Sequence, residues 1–238
     1  MIELNKIYCG DCLEILKDVD NESIDLTLTS PPYKNSYEGI GINRGSKTAK
    51  YHYSNDVGEP LYIIQDFGKL LFDKLKSDGC FLLNLGYNKD SGALRPFYIV
   101  ERLLKSGWFC PDKIIWHKKN PIPNTAYQLT NSFEYVFILT KQPTYKLKVG
   151  TRIYEHNIFN ISINSEDNSH NAAFPLELPM KIIELFTNEN DLVADFFNGS
   201  GTTTLASAKQ NRKFIGVDIN PKYCDIAEKR LQQETIFK

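Results

Sequence analysis

The chain has 238 residues, of which 42% are hydrophobic and 24% charged, and its formal net charge is −1. These values are typical of a globular protein with a sizeable core, and the near-neutral charge excludes a surface that is basic all round for nucleic acid. No apolar run is long enough to span a membrane and the first residues are too polar for a secretory signal, so we expect a cytoplasmic protein without a membrane partner.

The five cysteines do not predict a metal centre. Cys9 and Cys12 form a C-x-x-C pair, but Cys80, Cys110 and Cys224 are isolated in the chain. A structural zinc site needs four ligands, usually from two such pairs, and a disulfide framework needs an even, regular set. We therefore expect no metal, a reducing compartment and a C-x-x-C spacing that arose by chance.

Strands and helices alternate along most of the chain. Between them, residues 34–60 and 141–169 are polar, rich in Asn, Ser, Lys and Tyr, and lack sustained periodicity, which predicts loops or, for the second, a small subdomain. The predicted strands are 6–8, 24–29, 80–85, 109–117, 133–140, 192–195 and 213–218; the predicted helices are 12–17, 61–76, 95–105, 178–186, 202–210 and 221–233. This alternation predicts an α/β fold, with a mostly parallel sheet between two layers of helices.

A glycine-bearing turn follows the strand that ends in Asp195. Its residues Asn198-Gly199-Ser200-Gly201 lead into a helix from Thr202, so backbone N–H groups at the helix start face a closely approaching ligand. About twenty residues later a second strand ends in Asp218, which suits a carboxylate that accepts hydrogen bonds from ribose hydroxyls.

Three ligands compete for this turn. A nucleoside triphosphate loop needs a Gly-Lys-Ser/Thr sequence, which is missing, and a dinucleotide loop needs a third glycine where Thr204 stands. S-adenosylmethionine has no pyrophosphate, and its ammonium group favours a nearby acid such as Asp195. S-adenosylmethionine fits best, and a glycine turn without a ligand stays open as an alternative.

The sequence Thr29-Ser30-Pro31-Pro32-Tyr33 ends a strand abruptly, because two prolines cannot continue a sheet. The Ser30 hydroxyl and the rigidly held Pro31 carbonyl are acceptors for the two hydrogens of an exocyclic base amine, whose lone pair they would free for methylation. The Tyr33 ring would stack on a base rotated out of the duplex. The alternative is a proline-rich turn that presents polyproline II to a partner, which is more usual in a disordered tail.

Together these motifs resemble the amino-group DNA methyltransferases of the permuted β class, found in restriction–modification systems. In that class the catalytic half precedes the cofactor half, and the resemblance covers nearly the whole chain. The segments that carry it are 10–12 (GDC), 29–33 (TSPPY), 116–121 (WHKKNP), 133–136 (FEYV), 170–175 (HNAAFP), 195–203 (DFFNGSGTT), Asp218 and Tyr223. One departure is Phe196, which stands where the family usually has a proline.

The resemblance implies a Rossmann-like, seven-stranded and circularly permuted fold that binds S-adenosylmethionine. It implies one methyltransferase domain over 1–238, with a catalytic half at 1–140, a small DNA-recognition segment at 141–169 and a cofactor-binding half at 170–238. The implied catalytic residues are Ser30, Pro31, Pro32 and Tyr33. The implied cofactor-binding residues are Asp11, Cys12, His170, Asn171, Asp195, Phe197, Gly199, Ser200, Gly201, Thr202 and Asp218.

The expected partner is double-stranded DNA. Basic residues outnumber acids from Arg102 to Arg152, which is the footprint that phosphate contacts leave, although a solvated face has the same composition. The predicted DNA-binding residues are Lys34, Arg44, Lys47, Lys118, Lys146, Lys148 and Arg152. A homodimer would enlarge this small surface, and a separately encoded restriction endonuclease is a further possible partner.

Serine at the first place of the tetrapeptide resembles the N4-cytosine enzymes, whereas aspartate there is more usual in N6-adenine enzymes. The predicted activity is therefore methyl transfer to cytosine N4 in duplex DNA, with adenine N6 as the alternative. A C5-cytosine enzyme needs a nucleophilic cysteine after a proline, and the chain has no Pro-Cys pair. Other candidates are a non-DNA methyltransferase, disfavoured by the motif order, a NAD-dependent Rossmann protein, which leaves the tetrapeptide unexplained, and a non-catalytic DNA-binding protein.

Overall fold

The computed structural model describes residues 2–31, 59–86, 92–123, 129–148, 155–163 and 174–236. The strands are β1 (Lys6–Cys9), β2 (Ile24–Thr29), β3 (Leu75–Leu85), β4 (Phe109–Lys118), β5 (Phe133–Thr140), β6 (Ile158–Ile161), β7 (Leu192–Asp195) and β8 (Lys213–Asp218). The helices are α1 (Cys12–Lys17), α2 (Glu59–Lys74), α3 (Arg95–Leu104), α4 (Glu177–Phe186), α5 (Thr202–Lys209) and α6 (Pro221–Ile236).

The strands form one sheet in the order β1-β8-β7-β2-β3-β5-β4-β6. All neighbouring pairs are parallel except those of β5, which runs antiparallel to both β3 and β4. The predicted α/β class with a mostly parallel sheet is therefore confirmed. The predicted number of seven strands is wrong for this chain, because the described residues form eight.

The additional strand is β6, which lies in the segment 141–169 that the sequence predicted to be a loop or small subdomain. It adds to the sheet edge by parallel pairing with β4, with Ile115 opposite Ile158 and Lys118 opposite Ile161. Only Phe159 and Ile161 of its four residues are buried. Two apolar residues in an otherwise polar segment are too short a pattern to predict a strand.

The sheet has a topological switch point between β2 and β7. From β2 the chain continues through α2 to β3 on one side, and from β7 it continues through α5 to β8 on the other. In open α/β sheets such a point leaves a crevice outside the carboxyl ends of the two strands, where ligands bind. Residues 30–31 and 196–201 both lie at this crevice.

Helices cover both faces of the sheet. On one face α1, α2 and α3 pack against the strands through buried residues such as Leu16, Phe67 and Leu103. On the other face α4 and α5 contribute Ile182 and Ala206, and α6 packs over the β1–β8 edge. The central strands are buried on both sides, as expected for a parallel sheet between two helical layers. Within the described ranges, no helix is long and apolar enough to cross a membrane.

Candidate active site

The two halves of the chain meet where β2 and β7 end. Thr29 is the last residue of β2 and Asp195 the last of β7, and the Thr29 hydroxyl donates a hydrogen bond of 2.6 Å to Asp195 Oδ1. The Phe197 backbone N–H donates to the same oxygen at 3.1 Å. This places the glycine turn beside the start of the predicted catalytic tetrapeptide.

The turn itself is held by Asp218 and by α6. Asp218 Oδ2 accepts a hydrogen bond of 2.8 Å from the Gly199 N–H. On the outer side, the Arg230 guanidinium donates to the Ser200 carbonyl at 2.8 Å. Phe196, at the position where the family usually has proline, is fully buried against the ring of Phe67. The Phe196 side chain therefore fills the core beneath the turn.

A third acid lies at the adjacent strand end. Asp11 follows β1, and its side chain caps α1 by accepting the Leu13 N–H at 2.8 Å. The Gly10 N–H donates to the Asp218 carbonyl at 2.9 Å, which ties this turn to the end of β8. Burial raises the pKa of Cys12 to about 12, with a smaller contribution from the Asp11 carboxylate. The Cys12 thiol therefore stays protonated at neutral pH. The structure thus brings together Asp11, Asp195 and Asp218 at neighbouring strand ends.

This crevice suits a small cationic ligand with hydroxyl groups. Burial raises the pKa of Asp195 to about 6, although the Thr29 hydroxyl stabilises its carboxylate, and burial also raises the pKa of Asp218. A positive charge near Asp195 would relieve that desolvation. The buried Asn198 Nδ2 packs close to Gly216 of β8 and has no hydrogen-bond partner among the described residues. Residues 198–201 and the three acids therefore fit S-adenosylmethionine.

Ser30, directly after β2, begins a row of polar side chains that continues on β3, β5 and β4. Asn84 on β3 donates to Ser30 Oγ at 3.3 Å and to Glu134 Oε2 at 2.8 Å. Glu134 on β5 in turn accepts a hydrogen bond of 2.7 Å from Lys118 Nζ on β4. We call Ser30, Asn84, Glu134 and Lys118 the polar row.

Several predicted site residues lie outside the described residues: Pro32, Tyr33, Lys34, Arg44, Lys47, Arg152, His170 and Asn171. Of the catalytic tetrapeptide, Ser30 is half-buried and Pro31 is buried at the crevice. Of the cofactor set, Phe197, Gly199, Ser200, Gly201 and Thr202 are described together with the three acids and Cys12.

The described residues of the predicted DNA-binding set, Lys118, Lys146 and Lys148, do not all lie at the same end of the strands. Residues 141–148 follow β5, whose last residue Thr140 pairs with Cys80, and they leave the sheet at the end of the strands opposite Ser30. There Lys148 forms an ion pair of 2.5 Å with Asp78, and its backbone N–H donates to Leu185. The antiparallel direction of β5 therefore takes Lys146 and Lys148 away from the tetrapeptide, and their contact with DNA stays a prediction.

Lys118 does lie on the tetrapeptide's side of the sheet, but its amine is engaged. It is only 16% exposed, forms its ion pair with Glu134, and lies 5.2 Å from the centre of the Trp116 ring. The contact of Lys118 with DNA stays a prediction.

Sequence reasoning missed Thr29, Asn84, Glu134 and Arg230 as site residues. Asn84 carried a signal, since it is the one polar residue between Phe81 and Leu85 in a run that is otherwise apolar. Glu134 stood in a segment already matched to the family, but nothing in the sequence gave it a partner. These partners come from strand pairings that are distant along the chain.

Comparisons with known proteins identify the family of the chain. Residues 24–229 match the family model described as DNA methylase, of the N6 and N4 type. The chain is 28% identical to the type II methyltransferase M.Cfr9I of Citrobacter freundii, over 98% of this chain and 90% of that protein. It superposes on the cytosine-N4-specific PvuII DNA methyltransferase with a TM-score of 0.77 and 25% identity, over 97% of this chain and 89% of that one. The M1.HpyAVI–SAM complex gives a TM-score of 0.70 and 27% identity, over 95% and 98% of the two chains.

The two glycines of the turn lead to a stability prediction. Both have left-handed backbones, with φ of +50° at Gly199 and +84° at Gly201, but a Cβ on Gly201 would lie 2.7 Å from Ala227 Cβ on α6. A Cβ on Gly199 meets no atom of the described residues within 4 Å. We expect Gly199→Ala to lower the free energy of unfolding by about 1–2 kcal/mol from backbone strain, and Gly201→Ala by about 2–5 kcal/mol from strain and overpacking.

Urea denaturation of the two variants measures this difference, with Gly199→Ala as the matched control for strain alone. Equal losses in the two variants would contradict the close packing of the turn against α6.

Proposed function

The chain belongs to the N6 and N4 DNA methylase family, and we propose that it transfers a methyl group from S-adenosylmethionine to the N4 amine of a cytosine in double-stranded DNA. The observation that carries the proposal is the meeting of two sites at one crevice. The acids and glycine turn that suit S-adenosylmethionine adjoin Ser30 and Pro31 through the Thr29–Asp195 hydrogen bond.

S-adenosylmethionine would supply a methyl group on a positively charged sulfur, which is transferred to a nucleophile held in line with it. Asp195 would face its ammonium group, Asp218 would accept hydrogen bonds from ribose hydroxyls, and the backbone of residues 198–201 would surround it. Burial raises the pKa of Asp195, so a cation bound beside it would stabilise its ionised form.

The other half of the crevice must activate a weak nucleophile. The exocyclic amine of cytosine has a lone pair that is delocalised into the ring. Hydrogen-bond acceptors at its two N–H groups favour tetrahedral geometry and return that lone pair to nitrogen. Ser30 Oγ and the Pro31 carbonyl would be these acceptors, and the base must leave the duplex to reach them.

The choice of cytosine rests on Ser30 and is supported by the similarity to the cytosine-N4-specific PvuII enzyme. Adenine N6 is the second candidate, because cytosine and adenine both present an exocyclic amine beside a ring-nitrogen acceptor. The similarity to type II methyltransferases favours a restriction–modification setting. A homodimer and a separately encoded endonuclease remain predictions.

The product of the reaction tests the proposal directly. Duplex DNA from a methylation-free host, incubated with the protein and S-adenosylmethionine, should contain N4-methylcytosine, detected by mass spectrometry of digested nucleosides. Ser30→Ala should lower the rate by about 10²–10³-fold, because one acceptor of the target amine is lost, while cofactor affinity is retained.

N6-methyladenine as the only product would refute the cytosine assignment and leave the family assignment intact. No methylated base, with wild-type protein that binds S-adenosylmethionine normally, would refute the proposed activity.

The pKa of Asp195 predicts opposite pH effects on binding and stability. Because its folded-state pKa of about 6 lies above the ordinary value of 3.8, ligand-free protein should gain stability as the pH falls through 6. Affinity for a cationic ligand should fall over the same range, because the carboxylate becomes protonated. Calorimetry between pH 5 and 7 should show S-adenosylmethionine affinity declining up to about tenfold per unit below the pKa.

Asp195→Asn is the control, since it keeps the size of the side chain and cannot ionise. It should bind S-adenosylmethionine weakly and lose most of the pH dependence. An unchanged pH dependence in this variant would assign the titration to another group and remove Asp195 from the cation-binding role.

A further inference from the structure

We propose that Asn84 is a positioning residue that sets the direction and polarity of the Ser30 hydroxyl, and that Glu134 and Lys118 fix the orientation of Asn84. This inference rests on the proposed function, since Ser30 matters only as an acceptor of the target amine. Asn84, Glu134 and Lys118 have no assigned role in the reaction, and Asn84 is a positioning residue because it acts through Ser30.

The polar row is a continuous chain of contacts across adjacent strands. Ser30 follows β2, and Asn84, Glu134 and Lys118 lie on β3, β5 and β4, which is the order of these strands in the sheet. Each residue of the polar row has a buried apolar residue two positions away, on the same face of its strand. In the same order these are Leu28, Leu82, Val136 and Trp116. The row therefore forms the polar rim of a buried core.

The orientation of the Asn84 amide follows from Glu134. An ionised carboxylate only accepts hydrogen bonds, so the group at 2.8 Å from Glu134 Oε2 must be the Asn84 NH₂. On its other oxygen, Glu134 Oε1 lies 2.7 Å from Lys118 Nζ, in an ion pair whose members are 16% and 14% exposed. The second Asn84 N–H then points to Ser30 Oγ, at 3.3 Å.

The hydrogen bond that Ser30 accepts from Asn84 determines which groups of Ser30 remain for a base. One lone pair of Oγ receives the Asn84 N–H, so the hydroxyl keeps one lone pair and its own proton. The lone pair suits an N–H of the target amine, and the proton suits the ring nitrogen beside it. An amide takes no proton at neutral pH, so Asn84 orients Ser30 and does not deprotonate it.

Burial makes this orientation costly to change. Asn84 is only 2% exposed, and its Oδ1 has no hydrogen-bond partner in the described part of the chain. An unpaired buried carbonyl carries a free-energy penalty. The side chain keeps this orientation because the contact with the Glu134 carboxylate outweighs that penalty.

A double-mutant cycle separates positioning from general stabilisation. Asn84→Ala should lower kcat by about 10- to 100-fold through misplacement of Ser30, with S-adenosylmethionine affinity unchanged. Once Ser30→Ala has removed the hydroxyl, adding Asn84→Ala should lower kcat by less than about twofold, because residues that act through one partner are not additive. Thr140→Ala is the matched control, a buried polar residue at the opposite end of β5 whose effect should not depend on Ser30.

An NMR measurement tests the contact without relying on activity. The side-chain amide proton signals of Asn84 should shift in Ser30→Ala, which removes one acceptor. They should shift again in Glu134→Gln, since the side-chain amide introduced there can donate as well as accept, and should not shift in Thr140→Ala. Unmoved Asn84 signals in Ser30→Ala would overturn the proposal.

The kinetic outcomes distinguish this inference from the proposed function. If the wild-type protein methylates DNA but the Asn84 and Ser30 effects multiply, the positioning role fails and the function stands. If the wild-type protein methylates no DNA, the proposed function fails and the positioning role fails with it.

Discussion

The hydrogen bond between Thr29 Oγ1 and Asp195 Oδ1 joins residues that are 166 positions apart at the centre of the sheet. It is possible because β2 and β7 are parallel neighbours at the switch point, although the chain forms β3 to β6 between them. The crevice exists only where these two strands end side by side. Both halves of the site depend on this pairing.

The site has two parts, one on each side of the β2–β7 pairing. On the β7 and β8 side, buried acids held by the backbone of the glycine turn supply negative charge where a cationic cofactor would lie. On the β2, β3, β5 and β4 side, the polar row presents an oriented hydroxyl at the same edge. The chain order of catalytic half before cofactor half does not affect this geometry, because the strands meet in the sheet and not in the sequence.

Local patterns were enough to predict the strand ends and their chemistry. The prolines after Ser30 and the glycines after Asp195 mark where the backbone leaves the sheet, and both sites lie there. The polar row could not be predicted, because the contact of Asn84 with Glu134 depends on β3 pairing with β5, fifty residues later. Because β5 runs antiparallel to β3, the chain after β5 leaves the sheet at the end opposite the site, and Lys148 lies there.

The most direct test of the link between the two halves is the pH dependence of S-adenosylmethionine binding in Thr29→Val, with Thr29→Ser as the variant that keeps the hydroxyl. Loss of the Thr29 donor removes a contact that lowers the pKa of Asp195. The midpoint of binding should therefore move to higher pH in Thr29→Val, with weaker affinity at neutral pH, and should stay close to wild type in Thr29→Ser. A wild-type midpoint and affinity in Thr29→Val would contradict the account.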